Sequence, residues 1–465
     1  MAARERPDGG GRRASHALLT HALPTLALAW AAVALLAACR SAPRALSSNR
    51  EPEVQRVALA RPLCEREVKA GRAAQAALDA APAGSTVCLE PGQHAGPLVL
   101  RHPLTLWGPP SAVVKSSGDG TTIDVKSSGV ALLGFTVDGS GGRYDLLDAA
   151  VHVQGSDVRV EGLEIKNAVF GVLVDQSRRV RILNNLVRGT NEPAIGLRGD
   201  AIRLWETEDS VVSHNRVLAG RDVVVWYSSG NLFEHNVVTD GRYGTHFMYS
   251  HRNVVRYNRY ERDVVGVFLM YSRDITLENN QFLHAEGAAG IGVGFKESGN
   301  VRVADNAFVH NTMHVFMDTS PLNPTDENTF SRNLFALGQI GVDFHASGRK
   351  NVFVDNAFQG SLEHVRVDGN GNALGVTWKN NYFDDYAGYD LDGDGFGDVP
   401  HEVRRLSGDL VRRSPEVAFL RGTPALWLTD AISSVVPLFP PTKLFFDPQP
   451  RMRALLPPTA SEKLQ

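Results

Sequence analysis

Cysteine is scarce in this chain, with three residues, Cys39, Cys64 and Cys88, among 465. No four-cysteine metal site or disulfide-dense scaffold can be built from them. Methionine is nearly as rare, six in all, and five of the six fall between positions 248 and 452. No charge of one sign dominates: the net charge is −3 and the signs are interspersed. Nothing in that balance points to nucleic acid or an anionic membrane surface as partner. Past residue 38 there is also no apolar run long enough to span a bilayer.

What the chain has in abundance is one short pattern. A β-favouring residue, two variable residues, Asn, one variable residue and an apolar residue recur along residues 130–385. The Asn falls at 185, 215, 236, 258, 280, 306, 333, 356 and 381, in steps of 30, 21, 22, 22, 26, 27, 23 and 25. Two earlier copies carry Phe135 and Leu163 at the Asn position and keep the apolar partners Val137 and Ile165. A period near 22 marks a stacked repeat, and three short strands with their turns fit one such unit. The expectation is an all-β fold, a right-handed parallel β-helix of about 22-residue coils over 111–386. Asn tolerates left-handed backbone at a corner, and its amide both donates and accepts. Asn residues stacked about 4.8 Å apart can therefore bond in a continuous ladder.

The termini read differently. Residues 1–38 have a basic start (Arg4, Arg6, Arg12, Arg13) and an apolar stretch ending Leu36-Ala37-Ala38-Cys39. That is a lipoprotein-type signal with Cys39 as the lipidated residue; a plain cleavable signal or an uncleaved anchor is the competing reading. Residues 39–60 read as a tether and 61–110 as an N-terminal cap with a helix in the Ala-rich run Glu67–Ala81. Cys64 and Cys88 flank that run, either as a disulfide across the cap or as two thiols on a metal. Residues 387–402 form an Asp/Gly-rich loop, 403–440 a C-terminal helical segment and 441–465 a Pro-rich tail.

Aligning coils on Thr207, Ser228, Ser250 and Ser272 exposes a second stacking. Ile202, Val223, Thr245 and Val267, with Leu204, Val225, Phe247 and Leu269, point inward by strand alternation. Facing out stand Arg203, Val224, His246 and Phe268, then Trp205, Trp226, Met248 and Met270, with Tyr227, Tyr249 and Tyr271 at the corner. An apolar stripe on a solvent face marks a binding surface. Thioether sulfur favours Cu(I) and imidazole accepts copper, so His246, Met248 and Met270 are candidate copper ligands. His251, His284, Met313, His314 and Met317 lie in the same or neighbouring coils as secondary candidates. The competing reading is a docking face without metal, anchored by Trp205, Trp226, Tyr249 and Tyr271.

Gly199-Asp200-Ala201-Ile202-Arg203-Leu204-Trp205, the stretch Gly241–Ser250, the run Gly290–Glu297 and the closing Asn380-Asn381-Tyr382-Phe383-Asp384-Asp385-Tyr386 carry a family resemblance. From about Cys64 to the C-terminal region, the chain resembles the NosD family of nitrous oxide reductase maturation proteins. The resemblance implies a periplasmic β-helix that helps assemble a copper–sulfur centre. It also implies as partners the ATPase and membrane subunits of an ABC transporter, with nitrous oxide reductase or a copper chaperone as client. The lipobox departs from the plain secretion signal expected of such a protein and implies a lipid anchor.

Asp390, Asp392, Asp394 and Asp398 stand at positions 1, 3, 5 and 9 of a loop with Gly395 at 6, matching the first half of a calcium loop. His401 replaces the expected bidentate Glu, so a structural Gly/Asp turn is the alternative. The favoured function is a non-catalytic, periplasmic, lipid-anchored copper-presenting factor. The rivals are a carbohydrate-active lyase, hydrolase or epimerase using groups such as Arg203, Asp222, Arg242, Glu286 and Lys296, and a docking scaffold that binds no metal.

Overall fold

The computed structural model describes residues 58–190, 192–368, 371–404, 410, 414–420, 423–435 and 443–460. The leader 1–38, Cys39 and all but the last three residues of the tether 39–60 lie outside them. Three parallel sheets of 14, 13 and 12 strands span residues 66–383, and strand order within each advances in steps of one coil. Each coil thus gives one strand to each face, as in Val254–Arg256, Arg259–Glu261 and Val265–Met270. This is the parallel β-helix that the Asn period predicts.

The ladder sits at the corner between the first two faces. Asn258 Nδ2 donates to Asn280 Oδ1 at 3.1 Å and to the Phe233 carbonyl at 2.9 Å, while the Asn258 N–H donates to the same Asn280 oxygen at 3.0 Å. The same pattern links Asn185, Asn215, Asn236, Asn306, Asn333, Asn356 and Asn381, all buried. The left-handed residue of the corner is not the ladder Asn but the one before it: His235 (φ 54°), Tyr257 (φ 56°) and Asn279 (φ 53°). That neighbour makes the turn, which leaves the asparagine amide free to lie along the axis. A second column, Ser228, Ser250, Ser272, Ser298, Ser320 and Ser347, accepts backbone N–H bonds from the coil before at another corner.

Inside, rings stack once per coil. Tyr260, Phe282, Phe308, Phe335, Phe358 and Phe383 lie 4.7–5.3 Å apart centre to centre, close to the strand spacing of about 4.8 Å. Glycine makes room for them: a Cβ at Gly266 would lie 2.7 Å from Phe282, and one at Gly292 2.8 Å from Phe308.

Both ends are closed, as exposed parallel edges require. At the N-terminal end Arg66–Val68 pairs with Thr86–Leu89, so coiling starts inside the segment read as a cap. The helix shortens to Ala74–Asp79 because the residues before it are spent on that strand. Cys64 and Cys88 are joined in a disulfide with their Cα atoms 5.7 Å apart. At the other end His401–Arg404 pairs antiparallel with Lys443–Asp447, a strand in the segment read as a Pro-rich tail. Phe445 of that hairpin packs on Trp378 and Phe383, 5.0 and 5.4 Å between ring centres. Asp447 terminates the ladder: its Oδ2 accepts from Asn381 N–H at 3.0 Å and from Asn381 Nδ2 at 2.9 Å. Within 403–440 a helix runs Pro424–Val435. Among the described residues no helix is long and apolar enough to cross a membrane.

Replacing Asn258 by Ala strips Asn236 of the acceptor for its N–H and Nδ2 and the Phe233 carbonyl of a donor. Several buried groups left unpaired cost about 2–4 kcal/mol together. Urea unfolding of Asn258→Ala should show a loss of that size; a loss under about 0.5 kcal/mol would contradict the ladder's role.

Candidate metal centre

On the third face the register sets Trp205, Trp226, Met248, Met270 and Lys296 in one column, each paired with the next. The neighbouring outward column is Arg203, Val224, His246, Phe268 and Gly294, and between them Leu204, Val225, Phe247, Leu269 and Phe295 are fully buried in the lumen. The alternation expected from the sequence therefore holds across these coils. Met248 and Met270 are each half-buried, so neither is sealed in the core.

His246 is the centre of the arrangement. Its Nε2 lies 3.1 Å from Met270 Sδ of the next coil. Metal–nitrogen and metal–sulfur bonds of about 2.0–2.3 Å place two ligand atoms of one ion at about that separation. The Tyr243 ring is 4.8 Å from the imidazole, Trp226 stands edge-on at 5.7 Å, and Phe268 lies at 6.3 Å. This apolar wall leaves His246 only 7% exposed. Burial pushes its pKa down to about 4; Asp222 opposes the shift and Arg242 adds to it. The ring is thus neutral near pH 7, with a nitrogen lone pair available to an ion.

A local irregularity places these groups together. Asp222 pairs with Tyr243 and Val224 with His246, so the later strand carries one extra residue. Such a bulge re-aims side chains, and here Tyr243 and His246 both face out. Gly244 sits in it, where a Cβ would come 2.4 Å from Tyr260 and 2.5 Å from the Gly266 carbonyl. The sequence pattern did not reveal this step, because the Trp/Met column runs through it without a break.

The docking candidates also cluster. Trp205 and Trp226 meet edge to face at 5.8 Å, and the Arg203 guanidinium lies over Trp205 at 4.7 Å. Tyr227, Tyr249 and Tyr271 form a parallel stack at 5.5 and 4.8 Å along the corner, and Tyr227 and Tyr249 are exposed. Other candidates are placed elsewhere. His314 and Met317 are fully buried and point into the lumen, so neither can meet an ion on the outer face. Met313 faces out, with an Arg366 nitrogen 3.9 Å from its sulfur. His251 Nδ1 accepts the Arg273 N–H at 3.2 Å, and His284 stacks on His310 at 5.1 Å.

In the acidic loop, ligating oxygens of Asp390, Asp392 and Asp394 lie within 4.8 Å of one another. They also accept backbone bonds: Asp390 from Gly393 and Gly395 at 2.7 and 3.0 Å, Asp394 from Phe396 at 2.8 Å, and Asp398 from Leu391 at 2.6 Å. Of the acid–base groups that an enzyme could use, Asp222 is paired with Arg242 and Lys296 with Asp318, while Glu286 is exposed beside His284.

A sequence profile described as "Periplasmic copper-binding protein (NosD)" matches residues 191–388, which include His246, Met248 and Met270. A "Probable ABC transporter binding protein NosD" from Stutzerimonas stutzeri is 27% identical over 365 residues, 73% of this chain and 80% of its own length. A protein of the same description from Pseudomonas aeruginosa is 27% identical over 379 residues, covering 75% and 84%. Among solved structures, the catalytic unit of a thermostable GH87 alpha-1,3-glucanase from Streptomyces thermodiastaticus aligns with TM-score 0.54 and 17% identity, over 70% of this chain and 69% of that one. At that identity the likeness concerns the β-helix fold alone.

The depressed His246 pKa has a consequence for stability. Between its folded value of about 4 and the ordinary 6.5, the unfolded chain binds the proton and the folded chain does not. Stability is therefore intact above pH 6.5 and falls as pH drops through that window. Urea unfolding at pH 7 and pH 4.5 should show wild type losing about 2 kcal/mol more than His246→Gln; parallel losses would contradict a buried, neutral His246.

Proposed function

The chain belongs to the NosD family, and on that premise we propose that it is a periplasmic copper-presenting factor that serves assembly of the copper–sulfur centre of nitrous oxide reductase. The observation that carries this reading is the 3.1 Å approach of His246 Nε2 to Met270 Sδ, with Met248 paired to Met270 on the same outward column. Copper is the cargo, not a resident cofactor. Two thioethers and one neutral imidazole hold Cu(I) and release it by ligand exchange, as soft neutral donors suit that ion without the permanence of a thiolate cage. The family description and the ABC-transporter wording of the relatives' names support the setting.

In this reading Trp205, Trp226, Tyr249 and Tyr271 form the face on which a transporter subunit, a copper chaperone or the reductase docks beside the ion. Cys39 carries the lipid that keeps the solenoid at a membrane surface. The protein performs no bond chemistry of its own. A polysaccharide-acting β-helix needs an acid and a base free to act on the substrate, whereas Asp222 is held by Arg242 at this face.

Competition titration with Cu(I) tests the site. Wild type should take up one equivalent, and Met248→Leu combined with Met270→Leu should bind at least tenfold more weakly, about 1.4 kcal/mol. An unchanged affinity in the double variant would remove the proposed ligands.

A further inference from the structure

At the C-terminal end of the stack, ligand atoms of His364, Asp384 and Asp385 lie within 4.8 Å of one another, and His401 reaches Asp385 from a third element, far in sequence from the methionine column. His364 lies on the last strand of the third face, Glu363–Val367, and Asp384 and Asp385 follow the last strand of the second face, Tyr382–Phe383. His401 opens the antiparallel hairpin that closes the solenoid. His364 Nε2 is 2.7 Å from Asp384 Oδ1 and 3.6 Å from Asp385 Oδ1, and His401 Nε2 is 3.5 Å from that same Asp385 oxygen. One carboxylate oxygen thus stands between two imidazole nitrogens.

Both imidazoles are more than nine-tenths buried, at 5% and 7% exposure. His401 Nε2 points at Asp385 yet makes no hydrogen bond among the described residues. A buried ring nitrogen without a partner is rare in a folded protein, and an ion shared with Asp385 supplies the missing partner. The rings are also held in place. Phe383 packs on His401 at 4.5 Å and near His364 at 5.9 Å, Phe358 meets His364 edge-on at 5.9 Å, and the second Asp384 oxygen accepts the Gly360 N–H. Such outer support is what orients metal ligands.

We propose that His364, His401, Asp384 and Asp385 bind one divalent first-row cation of the zinc type, which clips the terminal hairpin to the last coil. Imidazole and carboxylate together suit Zn2+ and its neighbours, and the absence of sulfur from the set separates it in chemistry from the methionine column. The clip has a structural target. His401 pairs directly with Asp447 across the hairpin, and Asp447 terminates the asparagine ladder. An ion on His401 therefore anchors the strand pair that ends the ladder, and the role is independent of copper handling.

The test uses the whole metal-stripped protein titrated with Zn2+ alone against a chromophoric chelator, with thermal unfolding alongside. One equivalent should bind and raise the melting temperature. His401→Gln and Asp385→Asn should each weaken binding at least tenfold, while the Met248→Leu, Met270→Leu variant should titrate like wild type. Asp385 is half exposed, so its conservative substitution spares the fold if His401→Gln does not. Co2+ gives a reading on wild type alone: visible ligand-field bands of nitrogen–oxygen coordination are expected. A wild type that binds Zn2+ no more tightly than Asp385→Asn, loses its Zn2+ in the methionine variant, or leaves the Co2+ spectrum featureless would overturn the proposal.

Discussion

The asparagine ladder is the constraint from which the rest of this structure follows. Each ladder oxygen accepts two bonds from the coil before it, one from the backbone and one from the side-chain amide. No other residue type offers both the acceptor and the donor at that length. The effect is to lock coil to coil in a single register. A slip of one residue on any strand would turn its outward side chains inward and leave buried amides without partners. The ladder ends on a carboxylate, which has acceptors but no donor to pass on, and Asp447 therefore stops the repeat chemically as well as sterically.

A locked register turns the outer face into a lattice with one residue type per column and coil. On the third face this lattice places sulfur beside sulfur, aromatic beside aromatic, and an imidazole diagonal to a thioether. Bulk hydrophobic burial does not require such a stripe, because the lumen is already filled by its own stack of rings. The same wall of Tyr243, Trp226 and Phe268 that shields His246 from water keeps it unprotonated, so packing and ligand readiness are one property of the site.

Much of this was legible beforehand, for a physical reason. The repeat and the two-residue alternation of a strand are strict periodicities, so Asn236 over Asn258 and Met248 over Met270 could be placed by counting. Several of the failures fall where periodicity breaks. The extra residue between Tyr243 and His246 turns Tyr243 to the same outer face, so it was not seen as a wall of the site. His314 and Met317 are weaker ligand candidates from their coil positions alone, but both point into the lumen, Met317 in register with the buried Phe295. The left-handed corner residue was misassigned by one position because His, Tyr and Asn at 235, 257 and 279 share no side-chain chemistry. Asp447 lies 66 residues from the Asn381 it caps, and His401 meets Asp385 only because the hairpin folds back, so no local pattern announces either.

On the proposed function, the ladder-fixed register gathers His246, Met248 and Met270 into one soft donor set. X-ray absorption of the protein loaded with one equivalent of Cu(I) tests it most directly. A first shell of mixed nitrogen and sulfur is expected, with sulfur scatterers at about 2.3 Å. A shell of nitrogen and oxygen alone would place the copper elsewhere on the molecule and contradict it.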